Sequence, residues 1–113
     1  MLTIYHNPRC RKSRETLQLI EDSGELVTVI EYLKEVPSAD ELHKLVDMLG
    51  IKPEQLIRKG EAIYKEHYKG KSLSDEEWIE AMVEHPKLIE RPIVTREHKA
   101  VIGRPPENVK ALL

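Results

Sequence analysis

The chain has one cysteine, few aromatic residues and no long apolar run. A single thiol, Cys10, excludes an internal disulfide, a CxxC switch and a cysteine-rich zinc site. Aromatic residues make up 4% of the chain and interleave no basic stripe, which argues against stacking on nucleic acid. No segment approaches the roughly 18–20 apolar residues of a membrane span, so no membrane association is expected. The opening stretch MLTIYHNPRCRKSR lacks the apolar core of a secretory signal, and a cytoplasmic location is the expectation. The net charge of −2 gives no bulk attraction for polyanions. The histidines, His6, His43, His67, His85 and His98, stand at no metal-ligand spacing, so no metal is expected. What remains, with 113 residues at 40% hydrophobic and 34% charged, is a soluble globular chain of one domain.

Apolar patterning then divides the chain. Leu2 to Tyr5 reads as a buried strand that Asn7-Pro8 breaks. A helix follows from about Arg11, with Thr16, Leu17 and Ile20 on one face, and stops near Ser23-Gly24. Leu26 to Tyr32 is a second strand, and strand–helix–strand in so few residues implies a parallel pair. Ser38 with Glu41, and Ser74 with Glu77, are capping-box signals. The first opens a helix on Leu42, Leu45, Val46 and Leu49, closed by Gly50; the second opens one on Trp78, Ile79, Met82 and Val83, ended by His85-Pro86. Short helices are expected at Lys52–Ile57 and Tyr64–His67. Pro92–Thr95 and Ala100–Ile102 read as a hairpin across Arg96-Glu97-His98-Lys99. A last helix after Pro105-Pro106 carries Val109, Leu112 and Leu113. The fold class is therefore α/β, a mixed sheet in the order βαβ … ββα on the thioredoxin plan, with a helical insertion at about 37–90 in a single 1–113 domain.

Cys10 stands at the start of the first helix, where unbonded N–H groups and the helix dipole favour a thiolate. His6, Arg9, Arg11, Lys12 and Arg14 surround it in sequence, with no acid before Glu15. Such surroundings lower a thiol's pKa and build a nucleophile in an anion site. Ser13 lies one helical turn on, where its hydroxyl would return towards the sulfur. Arg58, Arg91 and Arg104, each at the edge of an apolar element, are forks for tetrahedral oxyanions or solvated surface charges.

Four segments in order resemble one family. They are His6-Asn7-Pro8-Arg9-Cys10 with Ser13-Arg14; Leu56-Ile57-Arg58-Lys59; His85-Pro86 with Leu88-Ile89 and Arg91-Pro92-Ile93-Val94; and Gly103-Arg104-Pro105. Together they resemble the glutaredoxin-coupled arsenate reductases, over nearly the whole chain. The resemblance implies a thioredoxin-like fold and a Cys10 nucleophile that attacks arsenate, with His6 and Ser13 holding it as thiolate. It implies that Arg58, Arg91 and Arg104 bind the oxyanion, that Asn7 and Arg14 shape the loop, and that Arg91-Pro92 is a cis peptide. No bound cofactor is implied; glutathione is the co-substrate and glutaredoxin the protein partner of a monomer. A lone thiol agrees with that, since it cannot resolve its own adduct. Two other readings accompany this one: a thiol-disulfide oxidoreductase of different substrate, and a redox regulator binding RNA polymerase. Ser13 stands where such regulators carry the second cysteine of their switch.

Overall fold

Leu2–His6 forms the first strand, β1, in which Leu2, Ile4 and His6 point inward and Thr3 and Tyr5 are half-buried, the period-2 pattern of a pleated element. The computed structural model describes all 113 residues. After Asn7-Pro8 the chain enters α1 (Arg11–Asp22), with Cys10 at the N-cap in extended conformation. Ser13, Thr16 and Ile20 form the buried face of α1, and Leu17 packs from its margin. Gly24 then takes φ +79, a left-handed exit suited to glycine. β2 (Val27–Glu31) pairs parallel with β1, from Leu2 opposite Val27 to His6 opposite Glu31.

β3 (Ile93–Arg96) pairs antiparallel with β1, and β4 (Lys99–Ile102) with β3, giving the order β2-β1-β3-β4. This is the mixed sheet of the thioredoxin-like plan. The hairpin is tighter than the sequence suggests, because Arg96 and Lys99 themselves pair and only Glu97 and His98 turn. The chain closes in a 3₁₀ helix, Pro106–Leu112, rather than an α-helix. Val109 and Leu112, three residues apart, share one face at three residues per turn and join Leu2, Ile4, Ile20 and Val94 in the core. Leu113, expected on that face, falls beyond it and is exposed. These elements, Met1–Glu35 with Arg91–Leu113, make one compact unit.

Val36–Glu90 makes a second unit. Its α2 (Ala39–Leu49) buries Leu42, Leu45 and Val46 and is capped by Ser38 Oγ, which accepts the Glu41 N–H at 3.2 Å. A 3₁₀ turn covers Pro53–Leu56, and the short helix foreseen at Tyr64–His67 becomes α3 (Ala62–His67). In α4 (Asp75–Glu84) both arms of the box form: Ser74 Oγ accepts the Glu77 N–H, and Glu77 Oε1 accepts the Ser74 N–H at 2.9 Å. The buried stripe of α4 centres on Trp78 and Met82 with Ile79 and Ala81 beside them; Val83 lies past its edge and is exposed, against expectation. An isolated antiparallel bridge sets Ile57 opposite Ile89 and brings Arg58 beside Glu90.

Candidate active site

The loop between β1 and α1 is fixed by its own polar groups. Asn7 carbonyl oxygen accepts the Cys10 N–H at 3.0 Å, and Asn7 Oδ1 accepts the Arg9 N–H at 3.0 Å, an Asx turn. Arg14 Nη1 donates to the Pro8 carbonyl at 3.0 Å, so Asn7 and Arg14 brace the loop from both ends. Ser13 is fully buried. Its Oγ accepts the Asn7 N–H at 3.0 Å and lies 2.6 Å from His6 Nδ1. Burial holds His6 below its ordinary pKa; the Glu31 charge opposes that and the Arg14 charge adds to it. With the imidazole neutral, one proton joins His6 Nδ1 and Ser13 Oγ, from the hydroxyl or from the ring according to the tautomer.

That network corrects one detail read from the sequence. The Ser13 hydroxyl does not turn towards sulfur, because Asn7 and His6 already engage it; the Ser13 backbone N–H serves the thiol instead. His6 faces the Ser13 hydroxyl and supports the loop through it.

Cys10 itself is largely buried, and burial, the strongest single influence on it, favours the neutral thiol. The Ser13 N–H, a hydrogen bond and charge from Arg91, and the charge of Arg104 together outweigh burial and hold the thiol below its ordinary pKa. Arg104 Nη2 stands 3.6 Å from Cys10 Sγ, and its Nε donates to the Arg91 carbonyl at 2.8 Å. The acting cations thus come from the far end of the chain. Arg11, a neighbour in sequence, instead pairs with Glu15 at 3.0 Å on the surface.

Several contacts deliver those arginines. The Gly103 N–H donates to the Pro92 carbonyl at 2.9 Å, tying the end of β4 to the start of β3. A Cβ on Gly103 would lie 2.6 Å from Thr16 Oγ1 and 2.8 Å from Pro92 Cγ, so no side chain fits at this crossing. Arg91-Pro92 is a cis peptide as expected, and Arg104-Pro105 is a second. Asn108, which the sequence reading passes over, donates through Nδ2 to the carbonyls of Ile102 and Arg104, both at 3.1 Å, and closes the turn that carries Arg104. Its position three residues after Pro105 is the signal that could have found it.

Arg58 belongs to the helical unit. There Glu90 Oε1 accepts from its Nη1 at 3.2 Å, and Glu61 Oε1 lies 3.4 Å from its Nε. Of the three arginines singled out, the structure brings Arg91 and Arg104 to the thiol and holds Arg58 between two carboxylates. No three His, Cys, Asp or Glu side chains converge as metal ligands would, and no helix is long and apolar enough to cross a membrane. Chemically, the arrangement is a thiol whose ionised form is favoured beside guanidinium donors, fit to attack an electrophile that carries anionic oxygens.

Comparison with known proteins agrees with this chemistry. The ArsC family matches residues 5–112. Uncharacterized protein YfgD of Escherichia coli is 50% identical over 108 residues, covering 94% of this chain and 91% of that protein. The arsenate reductase of Haemophilus influenzae is 45% identical over 112 residues, 97% of each chain. The solved arsenate reductase from Vibrio cholerae superposes with a TM-score of 0.95 at 50% identity, covering 99% of this chain and 97% of that one.

Proposed function

The chain belongs to the ArsC family, and on that premise we propose that it reduces arsenate to arsenite through a Cys10 adduct resolved by glutathione and glutaredoxin. The observation that carries this reading is the thiol between the Ser13 N–H and the Arg91 and Arg104 guanidiniums, with Arg104 Nη2 at 3.6 Å from sulfur. Those donors favour the thiolate before arsenate arrives, and they suit the charge that builds on its oxygens during attack. The family motif gives Arg58 an oxyanion-binding part as well.

The cycle balances as follows. The Cys10 thiolate attacks arsenic, and one hydroxyl of arsenate takes up a proton and leaves as water. Glutathione then adds its sulfur to the same arsenic, displacing a second oxygen as water. A glutaredoxin thiolate attacks the glutathione sulfur; the S–As bond breaks, and its electron pair stays on arsenic, which becomes As(III). Hydrolysis of the remaining Cys10–As bond frees arsenite and returns the thiol. Both electrons come from outside because Cys10 is the chain's one thiol. Glutathione and glutaredoxin are cytoplasmic reductants, so the reading carries a cytoplasmic location, and one copy of the chain suffices for the cycle.

The test is arsenate-dependent NADPH oxidation in the presence of glutathione, glutathione reductase and glutaredoxin. The wild type is expected to turn over and Cys10→Ser to remain at background. A wild-type rate no greater than that of Cys10→Ser sinks the reading.

A further inference from the structure

Next to the cysteine loop lies a cleft that an inorganic oxyanion does not need. β1 and β2 end side by side, with His6 opposite Glu31. The chain then folds back, because the Glu31 carbonyl accepts the N–H groups of Lys34 and Glu35 at 2.9 and 2.8 Å. That turn and the loop before Cys10 line a cleft of about 290 Å³, with His6, Asn7, Pro8 and Arg9 on one side and Glu31, Leu33 and Lys34 on the other. The lining carries two cations, Arg9 and Lys34, and one carboxylate, Glu31, which sits 3.7 Å from Lys34 Nζ. Leu33 and Pro8 add exposed apolar surface. Arg9 is the residue next to the nucleophile, and its backbone is fixed by the Asx turn on Asn7.

We propose that this cleft holds the peptide body of the thiol co-substrate, glutathione; the proposal rests on the cycle given above. Glutathione carries two carboxylates and one ammonium group, and the cleft carries the complementary set of two cations and one carboxylate. The Arg9 fork suits a carboxylate in bidentate fashion. Lys34 takes the second as a point charge. Glu31 takes the ammonium, and Leu33 and Pro8 cover the methylene chain. The Glu31–Lys34 pair is solvent-exposed, with side chains 42% and 79% accessible, so opening it to admit a ligand costs little. The set is specific in a useful way: arsenate has nothing to offer Glu31 or Leu33, and a neutral small thiol has nothing to offer Arg9 or Lys34.

The experiment needs no arsenate, so its outcome is separate from that of the proposed reaction. Cys10 is converted to its mixed disulfide with 5-thio-2-nitrobenzoate. An incoming thiolate breaks the S–S bond, whose electron pair leaves on the coloured aromatic thiolate, and a new disulfide joins Cys10 to the incoming sulfur. Release is timed with glutathione and with 2-mercaptoethanol, for the wild type, Lys34→Glu, and Arg9→Gln with Lys34→Glu. The expected result is a loss of about tenfold in the glutathione rate for the double variant, the worth of one to two charge-assisted contacts. The 2-mercaptoethanol rate should stay put. Added salt should erase the wild-type advantage of glutathione. Equal slowing with both thiols, or no slowing with either, overturns the proposal. Circular dichroism checks that each variant folds, and Lys34→Gln provides the milder change should the charge reversal disturb the turn.

Discussion

Cys10 and Arg58 are both ionisable groups drawn out of full solvent contact, and the fold supports their charged forms by different means. Around Cys10 the partners are a backbone N–H and two guanidiniums from the far end of the chain, and the thiol itself sits by a loop whose polar groups are buried and bonded: His6, Asn7 and Ser13 are all at or below 8% exposure. Around Arg58 the partners are two flexible carboxylates, and all three side chains keep 23–26% of their surface in solvent. A buried network of neutral donors and acceptors is costly to interrupt, because each orphaned group loses water without replacement. A partly exposed ion pair is cheap to interrupt, since water and salt take over. The two regions should therefore respond to substitution in different currencies: stability and thiol ionisation at the loop, anion affinity and salt dependence at the fork.

The largest effect expected is that of Ser13→Ala. It leaves the Asn7 N–H and His6 Nδ1 without the hydroxyl they share, inside the protein. The cost should be about 1–3 kcal/mol, read from urea unfolding. Glu90→Gln, which weakens the Arg58 fork, serves as the reference. Should Ser13→Ala cost no more than Glu90→Gln, the contrast between buried network and partly exposed pair collapses.

Next in size is the thiol's ionisation. The pH profile of Cys10 alkylation should have its midpoint below that of an ordinary thiol, because the thiolate persists as pH falls. Arg104→Gln removes the guanidinium 3.6 Å from sulfur, and the midpoint should rise towards that of an ordinary thiol. Arg58→Gln should leave the midpoint in place, since the charge of Arg58 is already met by Glu61 and Glu90; on the proposal that Arg58 also meets the oxyanion, it should raise the arsenate KM. A midpoint that moves with Arg58 and not with Arg104 would reverse the assignment.

How much of this was legible in the sequence depended on range. Strands, capping serines and the cysteine at a helix start are local patterns, and the structure bears them out. The cations that act on the thiol are not local. The basic run around Cys10 invites the idea that neighbours in sequence do the work, yet Arg11 is 84% exposed and engaged by Glu15 one turn away. Arg91 and Arg104 reach the sulfur because β3 pairs with β1 and Gly103 bonds to Pro92, contacts that no single segment encodes. The Ser13 hydroxyl departs from the sequence expectation for a related reason. Helical spacing puts residue 13 near residue 10, but it does not reveal that His6 and Asn7 compete for the same oxygen. Even the end of the chain follows this rule: apolar spacing foretold a helix, while only the geometry of three residues per turn excludes Leu113 from its buried face.

A smaller, pH-dependent effect tests the loop from its other side. The folded chain keeps His6 neutral below the ordinary value of 6.5, chiefly through burial. As pH falls below 6.5 the unfolded chain therefore binds the proton first, and stability declines until pH reaches the lowered folded value, where it levels off. The slope is bounded at about 1.4 kcal/mol per pH unit, the limit for one proton. Urea midpoints between pH 7.5 and 5.5 should show this decline in the wild type and lose that component in His6→Asn. An identical slope in both would mean that the buried imidazole is not the group that titrates.

The smallest effect belongs to the fork. Glu90→Gln keeps the shape of the side chain and an oxygen that can accept from Arg58 Nη1, but removes the charge. Stability should fall by less than about 1 kcal/mol, and salt should shrink the difference, as it does for exposed pairs. If Arg58 meets the oxyanion as proposed, the arsenate KM should fall by roughly twofold to fivefold, because one carboxylate no longer competes for the guanidinium. The direction matters more than the size. If Glu90 merely occupies Arg58 until substrate arrives, neutralising it tightens the anion and leaves kcat alone. If Glu90 instead aims the guanidinium, KM rises, and the fork is then a positioning device like the loop around Cys10 rather than its opposite.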